Sequence, residues 1–184
     1  MTMNAKELKI KLLHYWRFNR RYLYIATEVG KFNADVLASN GIDTIVECEV
    51  KTSKRDLVND FKKKKHRIFQ SPSQWYASFM PNYFFFAVPS KLLDDALDLT
   101  KDTPYGVIEV FDITFIEAKQ IRYCVIRRNA SLLTEKFRDK LFRQLVLRMG
   151  SEIVRSRILL KENTVRFIQI NDKVHYLLNK VRNS

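Results

Sequence analysis

Glycine, proline and cysteine are scarce in this chain of 184 residues, which contains four glycines, four prolines and two cysteines. So few glycines and prolines argue against a collagen-like, low-complexity or disordered chain. Cys48 and Cys124 are too few and too far apart for a disulfide scaffold or a zinc site, so we expect two buried thiols. Hydrophobic residues make up 46% of the chain, which is enough for a core, and the length favours one compact domain.

Long apolar runs are absent as well. No stretch of about 18 uncharged apolar residues occurs, and charges interrupt the N-terminal sequence where a signal peptide needs an apolar segment. We therefore expect a soluble, cytoplasmic protein with no membrane partner. The sequence leaves the oligomeric state open, with a homodimer as one possibility.

Positive charge is abundant and unevenly distributed. The net charge is +13, and residues 54–67 carry seven lysines and arginines against two acids, while residues 119–184 carry sixteen against five. A small protein so far from neutrality is suited to a polyanionic partner, and nucleic acid is the polyanion that this pattern favours. We expect the two basic segments to contact the phosphate backbone.

The hydrophobic periodicity predicts an α/β fold, in which a mixed sheet is flanked by helices. Strands are predicted at 22–29, 34–39, 42–51, 83–88, 105–110 and 112–117. Helices are predicted at 5–18, 54–69, 90–99, from 131 to Gly150, and again after Ser151. Asn4 and either Thr52 or Ser53 are suited to cap the first two helices.

Two local patterns make more specific predictions. Asn40-Gly41 between two apolar runs predicts a tight antiparallel hairpin, because both residues tolerate a positive φ. A turn at this position places Asp35 opposite Cys48 or a nearby residue. The periodicity of the helix at 54–69 predicts that its basic residues, 62–67, face outward.

The segment IVECEVK, residues 45–51, carries the chemical information. Because side chains alternate along a strand, Glu47, Glu49 and Lys51 share one face, opposite three apolar neighbours. Ordinary solvent-exposed sheet also shows this alternation. Asp35, on the preceding strand, adds a further acid, and clustered carboxylates are tolerated when a divalent cation neutralises them.

Asp35, a hairpin and then Glu49-Val50-Lys51 resemble the D…(D/E)xK signature of the PD-(D/E)XK nuclease superfamily, which has the restriction-endonuclease-like fold. The run ECEVKTSKRDLVNDF resembles the corresponding run of the MmcB-like DNA repair branch. The later segments YFFFAVP and YGVIEV resemble strands of that branch in order and separation. The resemblance covers residues 20–120 approximately, and Ala34 stands where the superfamily commonly has proline.

The resemblance implies a catalytic metal site. Mg²⁺, or Mn²⁺, would be held by Asp35, Glu49 and the carbonyl of Val50, since hard cations take oxygen ligands. Lys51 would orient or activate the attacking water and offset transition-state charge.

A fourth acid is usual in the family. Glu28 is the first candidate, because its T-E-V context matches the MmcB-like pattern, and Glu7 is the second. Glu47 is either an extra ligand or a carboxylate at the rim of the site, and we favour the rim.

Residues after the signature are candidates for nucleic-acid contact. Ser53 and Asp56 are suited to cap the following helix and to complement its dipole. The predicted DNA-backbone contacts are Lys54, Lys62, Lys63, Lys64, Lys65, His66 and Arg67. Trp75 and Tyr76 could stack on an unpaired base, although packing within the loop is the simpler interpretation.

The sequence therefore predicts a Mg²⁺-dependent DNA nuclease that acts in DNA repair, recombination or phage DNA processing. Residues 1–125 would form the nuclease-like core, and residues 126–184 a basic helical C-terminal extension packed on the same domain. A non-catalytic nucleic-acid-binding protein that retains the nuclease fold is the alternative. A third interpretation, an RNA-binding or ribosome-associated protein, requires the shared face of Glu47, Glu49 and Lys51 to be a coincidence.

Overall fold

Six strands form one mixed sheet in the order of the chain. The computed structural model describes residues 3–70, 77–117 and 120–182, and within these ranges all side chains except those of residues 70, 112–122 and 163–182. The strands are β1 (Tyr24–Val29), β2 (Ala34–Ser39), β3 (Ile45–Val50), β4 (Tyr83–Pro89), β5 (Gly106–Glu117) and β6 (Gln120–Arg128). β1, β2 and β3 are antiparallel, β3, β4 and β5 are parallel, and β6 returns antiparallel to β5.

Helices flank this sheet, which confirms the predicted α/β class. They are α1 (Ala5–His14), α2 (Lys54–Asp60), α3 (Lys64–Gln70), α4 (Leu93–Thr100) and α5 (Asp139–Arg182), with a π-turn at Tyr15–Asn19 and a 3₁₀ turn at Ser90–Leu92. Asn4 caps α1 in a capping box with Glu7, and Ser53 caps α2 by accepting the Asp56 N–H. Among the described residues, no helix is long and apolar enough to cross a membrane.

The two faces of the sheet carry separate cores. Val46, Cys48 and Val50 of β3 pack with α1, as the alternation predicts. On the other face, α2, β4 and β5 contribute one apolar cluster, and β2, β3 and the start of α5 contribute another. Both cysteines are free and buried, and the Cys48 Sγ accepts the indole N–H of Trp16 at 3.3 Å.

The predicted two-residue hairpin is wrong, because the connection spans residues 40–44. The Asn40 Oδ1 accepts the backbone N–H of Ile42, Asp43 and Thr44, so this side chain organises a wider loop. The register changes accordingly, and Cys48 pairs with Val36 rather than with Asp35. The same register places Asp35 opposite Glu49, one position from Cys48.

The helix predicted at 54–69 is also wrong as a single element. It ends at Asp60 and restarts at Lys64, and the intervening turn is closed by the Lys62 and Lys63 N–H groups on Asn59 and Asp60. The break rotates α3 relative to the expected helix. Lys65 and His66, which were expected to face outward, are therefore 2% and 3% exposed.

Helix α5 corrects two further boundaries. It begins at Asp139 rather than near Ser131, and it continues through Gly150 to Arg182. A glycine ends a helix by adopting a left-handed conformation, and Gly150 does not have a positive φ. The chain divides into two compact units, Met1–Met149 and Gly150–Ser184, and the first of them contains the whole sheet.

Candidate active site

Three acidic residues lie on three neighbouring strands at one end of the sheet. Glu28 is near the end of β1, Asp35 near the start of β2, and Glu49 near the end of β3. The pairs that flank Glu28 and Asp35 on β1 and β2 place these two residues opposite each other. The antiparallel registers of β1 with β2 and of β2 with β3 bring the three positions into one row across the strands.

Glu28 is held in an unusual backbone conformation. Its φ is +53°, in the left-handed region that costs an ordinary residue about 1–2 kcal/mol. The Asn33 side chain, itself on a residue with φ +51°, donates to the Glu28 Oε2 at 2.8 Å. The turn between β1 and β2 therefore fixes the direction of this carboxylate.

Lys9 of α1 bridges Glu28 and Asp35. Its Nζ lies 2.8 Å from the Asp35 Oδ1 and also donates to the Glu28 Oε1. The second oxygen of Asp35 accepts the backbone N–H of Val50 at 2.9 Å. Burial acts to lower the pKa of Lys9, but its hydrogen bonds to Asp35 and Glu28 outweigh burial and raise that pKa, so the ammonium is protonated.

Glu49 and Lys51 share a face, as predicted, and they are buried. The Lys51 Nζ lies 3.1 Å from the Glu49 Oε2 and 2.9 Å from the Asp60 Oδ1, and the lysine side chain is only 7% exposed. Lys63 also contacts both acids from a half-exposed position. Burial opposes the charge of Lys51, but Glu49 and Asp60 raise its pKa above the usual value.

Glu47 does not lie at the rim of the site, where we expected it. It is 2% exposed, and its Oε1 accepts a hydrogen bond from the Lys65 Nζ at 3.0 Å. Lys65 also forms an ion pair with Glu49 and lies 5.1 Å from the centre of the Phe84 ring. Burial raises the pKa of Glu47, although the charge of Lys65 opposes this shift.

His66 joins Asp60 to Tyr105 in the interior. Its Nε2 lies 2.9 Å from the Asp60 Oδ2, and its Nδ1 lies 2.9 Å from the Tyr105 hydroxyl. Burial lowers the pKa of His66 and raises that of Tyr105 to about 12, which favours a neutral imidazole and a protonated phenol.

The contacts of His66 also assign its tautomer. Burial opposes the charge of Asp60, but hydrogen bonding from His66 and the charge of Lys65 hold the pKa of Asp60 below its ordinary value. The Asp60 carboxylate is therefore ionised and can only accept a hydrogen bond. It follows that the Nε2 of His66 carries the proton, and that its Nδ1 accepts the Tyr105 O–H.

The predicted basic contacts separate into three groups. Lys62, Lys64 and Arg67 line an open groove of about 370 Å³ together with Ile68. Lys54 forms an ion pair with Asp95 at 2.6 Å and is mostly exposed. The remaining residues of the predicted set, Lys63, Lys65 and His66, are engaged with the buried acids as described above. Trp75 and Tyr76 lie outside the described residues.

The donor chemistry near Lys9 fits a small divalent cation. The Glu28 Oε1 and the Asp35 Oδ1 both contact one nitrogen atom, so two carboxylate oxygens converge on a single point. Mg²⁺ typically takes one or two carboxylates and completes its shell with waters and substrate phosphate. Within the described residues, no group of three or more His, Cys, Asp or Glu side chains is placed to hold a metal ion, so Glu49 does not join Glu28 and Asp35 in one cluster.

Sequence reasoning missed three residues of this region as active-site components. Lys9 lies on the first helix, where nothing distinguishes it from its neighbours Lys6 and Lys11. Asp60 matches the family run, but its helical spacing gives no sign that it is 1% exposed. Tyr105 is part of an apolar strand sequence, and its hydroxyl contact is a purely tertiary feature.

The fold has a counterpart among solved structures. The SPO1766 protein of unknown function from Silicibacter pomeroyi is similar in structure, with a TM-score of 0.56 and 14% sequence identity over 88% of this chain and 94% of that chain. At this identity the likeness shows the fold alone. No family model matches the chain, and no curated protein matches it.

Proposed function

We propose that this protein is a divalent-metal-dependent DNA nuclease of the PD-(D/E)XK type, with the restriction-endonuclease-like fold that its motifs imply. The observation that carries the proposal is the row of Glu28, Asp35 and Glu49 on three adjacent strands, with Lys51 beside Glu49. These are the residues that the family motif nominates, although they are separated by up to 23 positions in the chain. DNA repair, recombination and phage DNA processing are the settings that such an activity serves.

In this proposal the acids bind the metal, and the lysines offset the negative charge of the acids and of the phosphate. Glu28 and Asp35 would supply the converging oxygens, and Glu49 and the Val50 carbonyl are the further ligands that the motif implies. Mg²⁺ or Mn²⁺, when bound, lowers the pKa of a coordinated water and polarises the phosphate. Lys51, fixed between Glu49 and Asp60, presents a positive charge where the phosphoryl group gains negative charge.

Helix α3 supports a DNA partner, because it connects the acidic row to an exposed basic surface. Its inward residue Lys65 contacts Glu49, while Lys64 and Arg67 of the same helix line the open groove with Lys62. Because α3 has an inward lysine on the acids and outward cations in the groove, it would hold a phosphodiester backbone close to the acids. We propose that this groove contacts DNA without base recognition, since lysine and arginine bind phosphate in any sequence.

A non-catalytic nucleic-acid-binding protein is the second candidate, and one observation favours it. Asp35, Glu49 and Asp60 already have lysine partners, and Lys51 is almost fully buried between Glu49 and Asp60. Such a network neutralises the acids without a metal. A protein that had lost cleavage could retain it to stabilise the fold while the groove still binds DNA.

The deciding experiment measures cleavage of labelled linear, circular, branched and single-stranded DNA with Mg²⁺, Mn²⁺ or EDTA. We expect cleavage with either metal and none with EDTA. Asp35→Asn and Glu49→Gln should abolish cleavage while DNA binding persists, because each removes a ligand charge but little volume. Asp98→Asn, at an exposed acid on α4, is the matched control and should cleave normally.

Two outcomes would contradict the nuclease proposal. If Asp35→Asn or Glu49→Gln cleaves at the wild-type rate, the site is assigned wrongly. If the wild-type protein binds DNA with the expected salt dependence but cleaves none of the four substrates with either metal, the non-catalytic candidate replaces it.

A further inference from the structure

We propose that Lys9 competes with the divalent cation. In the metal-free protein, its ammonium occupies the metal position between Glu28 and Asp35, and this competition sets the affinity of the site for the metal. This inference rests on the proposed function, because it concerns the same metal site. It adds a residue of α1 that lies outside the D…(D/E)xK motif.

Each of the two acids uses one carboxylate oxygen for a structural contact and the other for Lys9. Glu28 uses its Oε2 to accept from Asn33, and Asp35 uses its Oδ2 to accept the Val50 N–H. The other oxygen of each acid, Oε1 or Oδ1, contacts the Lys9 Nζ. The scaffold therefore holds both carboxylates in place, and a cation can replace the ammonium without moving them.

The backbone of Glu28 strengthens this argument. A left-handed glutamate costs free energy, and such conformations persist where the surrounding structure requires them. Here the conformation directs the Glu28 carboxylate toward Asp35, on the adjacent strand, and toward the same ammonium. Two carboxylates brought together repel each other unless a positive charge lies between them.

Charge excludes simultaneous occupancy by Lys9 and the metal. Two carboxylates and one ammonium leave one negative charge, and a divalent cation at the same point would be repelled by the ammonium a few ångströms away. Binding therefore requires Lys9 to leave. Its side chain is 19% exposed, so it has access to solvent, whereas Lys65 is buried at 2% and cannot withdraw in this way.

The test measures Mn²⁺ binding by isothermal titration calorimetry on the full-length wild-type protein and three variants. Lys9→Met removes the charge but keeps the apolar stem, and we expect about tenfold tighter binding, the effect of one partly buried charge. Lys9→Arg keeps a competing charge and should bind no tighter than wild type. Lys6→Met, at an exposed lysine of the same helix, is the control and should leave affinity unchanged.

A second measurement uses only the wild-type protein, in case Lys9→Met fails to fold. The rate of Lys9 acylation by an amine-reactive reagent, followed by peptide mass spectrometry, should rise several-fold when Mn²⁺ is added, because the metal releases the ammonium. Acylation of Lys6 should not change. An unchanged Lys9 rate at saturating Mn²⁺ would overturn the inference.

The failures of the two proposals are distinguishable. If wild type and Lys9→Met bind Mn²⁺ with equal affinity and wild type cleaves DNA, Lys9 is not a competitor and the nuclease proposal stands. If neither protein binds Mn²⁺, both the inference and the metal site fail. Binding by Lys9→Met together with weak or no binding by wild type would support the inference.

Discussion

Lys65 is the residue on which the buried charges of the site depend most. It is 2% exposed and forms ion pairs with Glu47 and Glu49, which are themselves almost fully buried. Burying a charged pair brings little net stability, but removing one partner leaves the other uncompensated. The charges of the three residues therefore compensate one another, and no single residue stabilises the fold on its own.

We expect Lys65→Met to lower the free energy of unfolding by about 3–5 kcal/mol, because two buried carboxylates lose their shared cation. Lys62→Met, at an exposed lysine of the same basic run, should change it by less than about 0.5 kcal/mol. Urea denaturation at pH 7 compares the two variants. Equal stability of Lys65→Met and wild type would show that Glu47 becomes protonated or that the acids reach solvent.

His66 makes stability depend on pH in the mildly acidic range. Its pKa is lowered in the fold, chiefly by burial, while Asp60 and Glu49 oppose the shift and Lys65 adds to it. The unfolded state therefore binds more protons, and stability rises with pH. The contribution is complete above the ordinary histidine pKa of about 6.5 and is lost as pH falls through the folded value.

We expect the free energy of unfolding of the wild-type protein to fall between pH 7.5 and pH 5. His66→Gln removes the titrating group, so its free energy of unfolding should change less over the same range. Denaturant unfolding at several pH values measures both proteins. Parallel curves for the two proteins would mean that His66 is not the source of the dependence.

At the scale of elements, two glycines differ in whether their surroundings have room for a side chain. Gly150 lies inside α5, and a Cβ built there meets nothing within 4 Å. Gly106 begins β5, and a Cβ there would lie 2.3 Å from the Phe85 ring and 2.8 Å from the Ala130 backbone nitrogen. The same substitution therefore has opposite consequences at the two positions.

Gly150→Ala should stabilise the helix by about 1 kcal/mol, because alanine has the higher helix propensity. Gly106→Ala should destabilise the fold by at least ~1–3 kcal/mol, the usual cost of forcing atoms into a packed site. Thermal unfolding followed by circular dichroism at 222 nm gives both values. If Gly150→Ala is destabilising, Gly150 ends a helix, as the sequence pattern suggested.

For the whole molecule, the dominant property is its net charge of +13. Lys62, Lys64 and Arg67 line one groove, so in the proposed complex the DNA backbone would meet three cations at once. Each neutralised phosphate of duplex DNA contributes about 0.9 to the slope of log K against log salt. We therefore expect the three groove residues to account for a measurable part of the salt dependence of DNA affinity.

We expect the triple substitution of these residues by alanine to reduce that slope by roughly 2–3, with a similar loss on unrelated DNA sequences. A control triple, Lys6→Ala, Lys91→Ala and Lys101→Ala, removes the same charge at exposed positions outside the groove. Fluorescence anisotropy from 50 to 300 mM salt measures both. Equal slopes for the two triples would show that only net charge matters and that the groove is not the contact surface.

The sequence divided β5 into two strands and did not predict β6. It did determine by itself the α/β class, the first four strands and the two faces of β3. Each of these follows from short-range patterns: alternation puts Val46 and Cys48 opposite Glu47, and Asn4 caps a helix because its side chain reaches N–H groups three residues away. Such interactions operate within a few residues, so they survive in almost any tertiary context.

Only the tertiary structure decided the register and the partners of the charges. The hairpin register depended on the Asn40 side chain, which organises a loop wider than Asn-Gly usually forms. The inward position of Lys65 required the break after Asp60, and the bridge from Lys9 joined α1 to strands that are distant in sequence. Burial of a charge depends on which elements pack around it, and no local pattern contains that information.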